Sequence, residues 1–574
     1  MIRSFSVSLL SVALLAACSP AASNVASAPL PQEQTFIGSV SAADPRAEEA
    51  GMKMLRAGGS ATDAAIAVML ALTVVEPQSS GIGGGGFYVR GTADGAVKTI
   101  DGRETAPDGA VPEWFLDESG ELLDYSQSVL SGLSIGVPGN VALAAKAHAE
   151  HGRLPWAQLF EPAIRLTRDG FEMNVRLHES LKTRSERAGH SDFGKALYFG
   201  ESGEPLPVGT LIVNPALAET FEQIATQGPD AFYQGAFAEL LASHVAAATP
   251  RKGAMTASDL DGYVAKQREA VCGMYRAYRV CGMGPPSSGG VAVQQILGQL
   301  ERFDLNALGL ENPATWHLFL ESQRIAYADR ELYLADSDFI DVPVKGLIDP
   351  AYLARRSALI DPASRIADPQ PGTPEGARTA LADGNEAPES GTTHFSVVGQ
   401  DGTMISYTST IEGAFGSGLM FGGFHLNNEL TDFSRSPEID GIPVANRVEG
   451  GKRPRSSMAP TMVWDPQGRP FMVVGAAGGP TIPVQTARSI IGAIDFGLSA
   501  EQALGMPFLM AFGDRVLIEE GTWLEEQAEE FKALGHEQLI IRAAPVKAGA
   551  LLRHEAGWES ARDPRLEGKL GYLP

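Results

Sequence analysis

Residues 391–410 read GTTHFSVVGQDGTMISYTST, two strand-like runs on either side of an Asp401-Gly402 turn. An Asp-Gly pair between runs of alternating β-branched and aromatic residues is a strong signal for a β-hairpin. Counting outward from the turn places Thr392 opposite residues 409–411. The hairpin is therefore expected to bring the hydroxyl of Thr410 beside that of Thr392.

Thr392 is a candidate nucleophile because of this position. A threonine hydroxyl attacks weakly unless a base takes its proton, and a free α-amine on the same residue, with a pKa of about 7.7–8.0, can be that base. The amine becomes free only if the Gly391–Thr392 bond is cleaved. An ordinary strand start explains these residues equally well, so the hairpin alone leaves both interpretations open.

The sequence pattern changes from mostly helical to strand-rich across residues 366–391. Upstream, Asp44 and the Ser60/Asp63 spacing are typical of capped helix starts, and residues 61–75 are apolar almost all round, which indicates a buried helix. Residues 366–391, rich in proline and glycine without periodicity, predict a mobile linker. The succession of helices and strands indicates an α+β layered fold. Strands are predicted at 86–90, 97–101, 393–398, 403–410, 460–464 and 470–474.

The N-terminal segment has the pattern of an export signal. A positively charged start precedes an apolar stretch over residues 5–17 that is too short to span a bilayer. The stretch ends in Leu-Ala-Ala before Cys18, which resembles a bacterial lipoprotein signal with a lipidated cysteine; an ordinary signal peptide cleaved among residues 21–28 is the alternative. The serine that follows is typical of outer-membrane sorting. We expect a signal at 1–17, a flexible tether at 18–36, and export to the periplasm with a lipid anchor in the outer membrane.

Composition excludes some classes of partner. Lys+Arg number 45 and Asp+Glu 69 in 574 residues, a net charge of −24 with no basic patch, so a nucleic-acid partner is not expected. Cys272 and Cys281 flank a short strand-turn-strand segment, and either a disulfide or two buried thiols would fit it. The sequence has no Cys/His cluster and no HExxH pattern, so neither a metal nor a cofactor is predicted.

Two motif matches are rejected on their context. Residues 81–86 fit G-x-G-x-x-G, but a helix precedes them and a strand follows, which reverses the order of a dinucleotide site. A tight turn or close backbone packing is the better interpretation. Residues 132–136 fit the G-x-S-x-G elbow of serine hydrolases, but Val137-Pro138-Gly139 would break the helix that must follow it.

The run over residues 392–398 closely resembles the processing site of the γ-glutamyltranspeptidase family. Further segments that match the family lie in order from about residue 36 to the end of the chain, which makes the resemblance highly specific. They are 49–51, 58–65, 81–86, 101–107, 285–290, 426–433, 452–461 and 563–565.

The resemblance implies an N-terminal-nucleophile hydrolase. Such a protein has an αββα sandwich and is made as a precursor that splits into a large chain, here 37–391 after the tether, and a small chain, 392–574, which stay paired. It implies a γ-glutamyl hydrolase and transferase that acts on glutathione and related compounds without a cofactor. The acceptor would be water, an amino acid or a peptide. The protein would contact the membrane only through its lipid anchor.

The same resemblance assigns roles to individual residues. Arg103 and the serine pair Ser456 and Ser457 are expected to bind the α-carboxylate of the donor, for which a forked guanidinium is well suited. Glu412, Glu429 and Asp432 are expected around its α-ammonium. Thr410 would orient the nucleophile Thr392, and Gly478-Gly479 would form the oxyanion hole through backbone N–H groups.

Two departures from the family pattern affect specificity. Glu412 stands where many members have asparagine, which leaves acceptor preference open. The segment 435–451 is shorter than the lid of some relatives and contains no aromatic residue, so a more open site for bulkier donors is our hypothesis.

Two alternatives remain beside the leading interpretation. A sister acylase of the same fold would act on glutaryl amides or polyglutamate, but a glutaryl group has no α-amine for the three acids to bind. A non-catalytic surface lipoprotein that only binds ligands is disfavoured by the intact set of Thr392, Thr410 and Gly478-Gly479.

Overall fold

The predicted hairpin lies inside a six-stranded antiparallel sheet in the computed structural model, which describes residues 36–378, 381–382, 384 and 391–568. The signal segment, nearly all of the tether and Cys18 lie outside the described residues, as do 379–380, 383, 385–390 and 569–574. None of the helices in the described residues is long and apolar enough to cross a membrane.

Two six-stranded sheets form the middle of the protein. In chain order their strands are β1 (Gly38–Ser41), β2 (Gly85–Gly91), β3 (Val97–Gly102), β4 (Lys266–Arg268), β5 (Val271–Tyr275), β6 (Tyr278–Gly282), β7 (Thr393–Gly399), β8 (Met404–Thr410), β9 (Thr461–Trp464), β10 (Pro470–Ala477), β11 (Lys547–His554) and β12 (Gly557–Arg562). The first sheet has the order β1-β7-β8-β2-β3-β4 and the second β12-β11-β10-β9-β6-β5, with every neighbouring pair antiparallel.

Helices cover the outer face of each sheet. In chain order, the helices of eight residues or more in the described part are α1 (Pro45–Arg56), α2 (Ala61–Val75), α3 (Asn140–His151), α4 (Trp156–Arg168), α5 (Val175–Thr183), α6 (Pro215–Gln227), α7 (Gly235–Ala247), α8 (Gly289–Leu300), α9 (Pro313–Tyr333), α10 (Pro350–Ser357) and α11 (Ile482–Ile494). Helix α2 packs on β7 and β8, and α8 and α11 pack on the second sheet. Because β7 and β8 also contact β10 across the sandwich, the layers are αββα, as predicted.

The first two helices begin where the sequence predicts. Asp44 accepts the backbone N–H of Arg46, and Ser60 and Asp63 form a reciprocal capping box at the start of α2. Every residue of α2 is buried, because the helix lies between the first sheet and α1, α3 and α4. This environment explains why its sequence is apolar on all sides.

The glycine run before β2 packs against the hairpin backbone. A Cβ on Gly84 would lie 2.0 Å from the carbonyl oxygen of Thr410, and one on Gly83 would lie 2.1 Å from that of His425. Close backbone packing is therefore the role of these glycines, as predicted. In the second rejected motif, Ser134 is fully buried and donates its hydroxyl to the carbonyl oxygen of Val129 at 2.7 Å, so it is not placed as a nucleophile.

The start of the predicted mobile linker is anchored. The N–H of Ile366 donates to Glu321 at 2.7 Å, and the N–H of Gly372 donates to Asp329 at 2.7 Å, both on α9. Buried carboxylates thus satisfy backbone groups that the sequence pattern leaves unassigned, and the mobility of 366–391 stays a prediction.

The two cysteines face each other across the β5–β6 hairpin. Cys272 pairs with Cys281 in register, and their Sγ atoms lie at bonding distance, 2.14 Å. The chain therefore offers the geometry of a cross-strand disulfide, one of the two arrangements left open by the sequence.

Candidate active site

The hairpin places two threonine hydroxyls side by side. Thr393 pairs with Ser409, so Thr392 and Thr410 stand opposite each other, and their Oγ1 atoms lie 3.0 Å apart. The backbone N–H of Glu412 donates to Thr410 Oγ1 at 2.8 Å, which leaves the Thr410 proton available to the Thr392 hydroxyl. Both threonines are buried, so this contact is fixed by packing as well as by hydrogen bonding.

The backbone at Thr392 is strained. Its φ of 72° lies in the left-handed region, which a β-branched residue rarely adopts, and such a conformation costs about 1–3 kcal/mol. Its N–H donates to the carbonyl oxygen of Ser79 at 3.0 Å, which holds it in place. Gly391 fits only as glycine, since a Cβ there would lie 1.9 Å from the carbonyl oxygen of Glu412.

His394 is a structural residue despite its position near Thr392. Its ring contacts the hydroxyls of Thr408 at 2.9 Å and Ser396 at 3.0 Å within the first sheet. It also fills the space above Gly475 of the second sheet, where a Cβ would lie 2.4 Å from the ring. Burial lowers the pKa of His394 to about 3, so the ring is neutral and joins the two sheets.

A cavity of about 800 Å³ opens beside the two threonines. Nine of the residues predicted for the site line it, drawn from three distant parts of the chain. They are Arg103, Thr392, Thr410, Glu412, Glu429, Asp432, Ser456, Ser457 and Gly479. Gly478, which precedes Gly479 after the end of β10, has φ 128°, and Gly479 has φ 56°, so this turn suits glycine at both positions.

Arg103 is the centre of a buried ion cluster in this cavity. Its guanidinium pairs with both Glu429 and Asp432, and its Nε and Nη2 also donate to the carbonyl oxygens of Pro454 at 3.2 Å and Arg455 at 3.0 Å. The family resemblance predicts that Arg103 binds the α-carboxylate of a donor and that Glu429 and Asp432 bind its α-ammonium. In the structure, Arg103 pairs with the two acids themselves.

Glu104 belongs to the same cluster, although the sequence assigns it no role. It is fully buried against Glu429, and burial raises the pKa of Glu104 to about 7 and that of Glu429 well above its ordinary value. Two carboxyl groups in contact share a proton more readily than they both ionise. The only sequence signal for Glu104 is its place directly after Arg103 in a matching segment.

The serine pair occupies a loop next to the cluster. Ser456 Oγ accepts the N–H of Met458 at 3.1 Å, and Ser457 Oγ accepts from the guanidinium of Arg330 on α9 at 2.8 Å. Arg330, to which the sequence assigns no role, also donates to Ser288 at 2.9 Å and lines the cavity. It adds a second buried cation to the end of the site that holds Ser457.

Lys547 is a further residue that the sequence does not reveal. Its Nζ lies 3.2 Å from the carbonyl oxygen of Gly391 and 3.2 Å from that of Thr392. It is thus the side chain that contacts both sides of the peptide bond predicted to be cleaved. Nothing in the sequence near residue 547 indicates this, because the contact joins strands from opposite sheets.

One group of potential metal ligands occurs among the described residues, away from the cavity. It consists of His317, Glu321 and His536, whose ligand atoms lie within 4.8 Å of one another. The two histidines contact each other at 2.9 Å, and Glu321 accepts from Arg324 at 3.1 Å, so protein groups already use these atoms. The absence of a metal site stays a prediction.

Comparison with known proteins agrees with this geometry. The gamma-glutamyltranspeptidase family model matches residues 47–573. A glutathione hydrolase proenzyme of Bacillus subtilis (strain 168) is 38% identical over 482 residues, which cover 82% of this chain and 80% of that protein. The crystal structure of Helicobacter pylori gamma-glutamyltranspeptidase is 38% identical, with a TM-score of 0.58 over 61% of this chain and 100% of that chain. A cephalosporin acylase of Bacillus halodurans is 25% identical, with a TM-score of 0.78 over 94% of this chain and 97% of that chain.

The family match runs through both sheets and includes the hairpin, the ion cluster and the serine pair. The curated relative is a proenzyme, and the fold is shared with solved acylases and transpeptidases of the same architecture. The chain therefore belongs to the γ-glutamyltranspeptidase family of N-terminal-nucleophile hydrolases.

Proposed function

We propose that this protein is a self-processing γ-glutamyl hydrolase and transferase whose nucleophile is Thr392. The observation that carries the proposal is the 3.0 Å contact between the hydroxyls of Thr392 and Thr410 on the wall of a cavity that also holds the Arg103 cluster. Cleavage before Thr392 would free an amine that can take the proton of its own hydroxyl.

The ion cluster suits the zwitterionic end of a γ-glutamyl donor. A donor brings one carboxylate and one ammonium, so its carboxylate can pair with Arg103 while its ammonium pairs with Glu429 and Asp432. The exchange leaves the buried charge balanced, and each charge keeps a partner. A glutaryl amide has no ammonium and would leave the acids uncompensated, which supports γ-glutamyl over glutaryl donors.

The reaction then follows in two steps. Thr392 Oγ1 attacks the γ-carbonyl, the backbone N–H groups at Gly478 and Gly479 stabilise the negative oxygen, and the amine leaves with a proton. The resulting γ-glutamyl ester on Thr392 is opened by water, which gives glutamate, or by the amine of an amino acid or peptide, which gives a new γ-glutamyl amide.

A short lid segment and the size of the cavity support a broad range of donors. The segment 435–451 contains a short two-stranded hairpin, Glu438–Ile439 with Ile442–Pro443, whose residues are mostly exposed, and none of its residues lines the cavity. A cavity of about 800 Å³ is large for glutathione alone. Donors longer than a tripeptide are therefore part of the proposal.

Export and anchoring are proposed from the sequence. The apolar stretch before Cys18 supports lipidation of that cysteine, and the serine after it supports attachment to the outer membrane. Replacement of Cys18 by serine should then abolish the incorporation of labelled fatty acid into the protein. Equal fatty-acid labelling of the wild type and Cys18→Ser would refute the lipid anchor.

The test of the function compares the wild type with Thr392→Ala and Thr392→Ser. Intact mass should show two chains split before Thr392 in the wild type and one whole chain in Thr392→Ala, while Thr392→Ser should still split. Glutamate release from glutathione and from longer γ-glutamyl peptides should follow the same pattern. A wild type that stays whole would refute the nucleophile. Splitting without glutamate release would keep the mechanism and favour the substrates of the sister acylases.

A further inference from the structure

Lys547 stands at the start of β11 and reaches across the sandwich to the beginning of β7. Its ammonium donates to the carbonyl oxygens of Gly391 and Thr392, each at 3.2 Å. Lys547 is not among the residues that line the cavity of about 800 Å³; it lines a separate small cavity together with Thr392 and Thr393. The reaction at the γ-glutamyl donor therefore gives Lys547 no role.

We propose that Lys547 is a catalytic residue of the self-cleavage step, in which its ammonium stabilises the oxyanion that forms on the carbonyl oxygen of Gly391. This inference rests on the proposed cleavage before Thr392. It adds to that proposal the group that makes the Gly391 carbonyl reactive.

The step balances without a co-reactant other than water. Thr392 Oγ1 attacks the carbonyl carbon of Gly391, and the carbonyl electron pair moves to the oxygen that faces Lys547. When the oxyanion collapses, the C–N bond breaks, the nitrogen of Thr392 takes up the proton given up by the hydroxyl, and an ester remains. Water then hydrolyses the ester to the Gly391 carboxylate and the free hydroxyl of Thr392.

The contact between Lys547 and the carbonyl oxygen of Thr392 explains how the ammonium is oriented. The carbonyl oxygen of Thr392 fixes one N–H, so a second N–H points at the Gly391 oxygen before the attack begins. A donor in place in advance needs no reorganisation as charge develops, and removal of such a donor slows a reaction by about 10²–10³-fold.

The charge of Lys547 is sensitive to its surroundings. Burial and the guanidinium of Arg176 on α5 lower the pKa of Lys547 to about 7, while Arg176 is itself paired with Glu76. Because the ammonium is the form that stabilises an oxyanion, cleavage should slow as the pH rises through about 7. If a neutral lysine acted instead as a base, cleavage would speed up over the same range.

The experiment measures by pulse–chase how fast the full-length chain is converted into two chains. The wild type is compared with Lys547→Met, Lys547→Arg and the exposed control Lys532→Met. Lys547→Met should cleave about 100-fold more slowly than the wild type, Lys547→Arg should lose much less, and Lys532→Met should match the wild type. The arginine variant should also keep its rate above pH 7, where the wild type slows. Circular dichroism and thermal unfolding of the uncleaved chains check that each variant is folded.

Two results would overturn the inference. One is a folded Lys547→Met that cleaves at the wild-type rate, and the other is a wild-type rate that rises with pH through 7. Thr392→Ala, run in parallel, separates the two proposals. If Thr392→Ala is cleaved, the nucleophile itself fails; if it stays whole while Lys547→Met cleaves normally, only the role of Lys547 fails.

Discussion

Thr410 shows how one hydroxyl can serve both reactions of the site. It accepts the N–H of Glu412 at 2.8 Å and lies 3.0 Å from the hydroxyl of Thr392, so its orientation is set before any substrate binds. The same contact is present while the Gly391–Thr392 bond is intact. Self-cleavage and donor turnover should therefore depend on Thr410 together.

Replacement of Thr410 by valine keeps the shape of the side chain and removes the hydroxyl. We expect both cleavage and glutamate release to fall by about 100-fold or more, because an oriented proton donor next to a nucleophile contributes about 10²–10⁴-fold. The matched control is Thr410→Ser, which keeps the hydroxyl and should lose less than about 10-fold. Gel analysis of cleavage and a glutamate assay measure the two effects. Equal rates for the valine and serine variants would show that the hydroxyl is not used.

Glu104 makes a prediction about pH and stability. Its pKa rises to about 7 in the folded protein, so the folded state keeps a proton that the unfolded chain loses above about pH 4.5. The free energy of unfolding should therefore fall as the pH rises from about 4.5 to about 7, by on the order of 3 kcal/mol for the full shift. Glu104→Gln cannot ionise and should remove this part of the pH dependence.

The measurement uses thermal unfolding at pH 5 and pH 8 on the uncleavable Thr392→Ala background, so that a single chain unfolds. Relative to Glu104→Gln, the parent protein should lose stability between the two pH values. The exposed Glu118→Gln serves as the control and should follow the parent. Parallel curves for the parent and Glu104→Gln would contradict the buried proton.

At the scale of elements, the sequence predicts the features that depend on residues close together in the chain. The hairpin register follows from the Asp401-Gly402 turn, and the helix starts at Asp44 and Ser60 follow from side chains that cap their own backbone. These features depend on residues within a few positions of each other. For that reason they could be derived without knowledge of the fold.

The residues that the sequence could not reveal act across long separations. Lys547 contacts a carbonyl oxygen 155 positions away, and Arg330 contacts Ser457 127 positions away. The anchoring of residues 366 and 372 on α9 has the same origin, since it needs buried carboxylates on another element. The predicted site residues were found through family resemblance, and their charges or spacing alone would not have assembled them.

The glycine run 81–86 packs against the backbone of the hairpin. A glycine-to-alanine substitution in this run, which adds one methyl group, tests whether the packing positions Thr410. A Cβ on Gly84 would lie 2.0 Å from the carbonyl oxygen of Thr410, so Gly84→Ala must displace the end of β8. We expect cleavage to slow by about 10-fold or more, because a shift of about 1 Å in a reacting group can cost 10²-fold. Gly200→Ala is the control, since its nearest neighbour would be 3.9 Å from the new Cβ. Cleavage of Gly84→Ala at the control rate would show that the glycines do not position Thr410.

On the scale of the whole molecule, the proposed cleavage before Thr392 would not divide the protein into separate bodies. In the first sheet, β7 and β8 of the small chain lie between β1 and β2 of the large chain, with seven registered pairs between β8 and β2. In the second sheet, β6 of the large chain pairs with β9 of the small chain. Each chain thus supplies strands to both sheets and side chains to the core between them.

This interleaving predicts how the cleaved protein behaves. Separation of the chains would break backbone ladders in both sheets and expose the core, so we expect the two chains to elute together in size-exclusion chromatography in the absence of denaturant. Heating should unfold them in one transition, because neither chain alone contains all the strands of either six-stranded sheet. The uncleaved Thr392→Ala protein provides the reference for elution volume and unfolding. Release of the small chain under native conditions would contradict the shared sheets. Separation only in denaturant would mean that cleavage frees the end at Thr392 and leaves the rest of the sandwich in place.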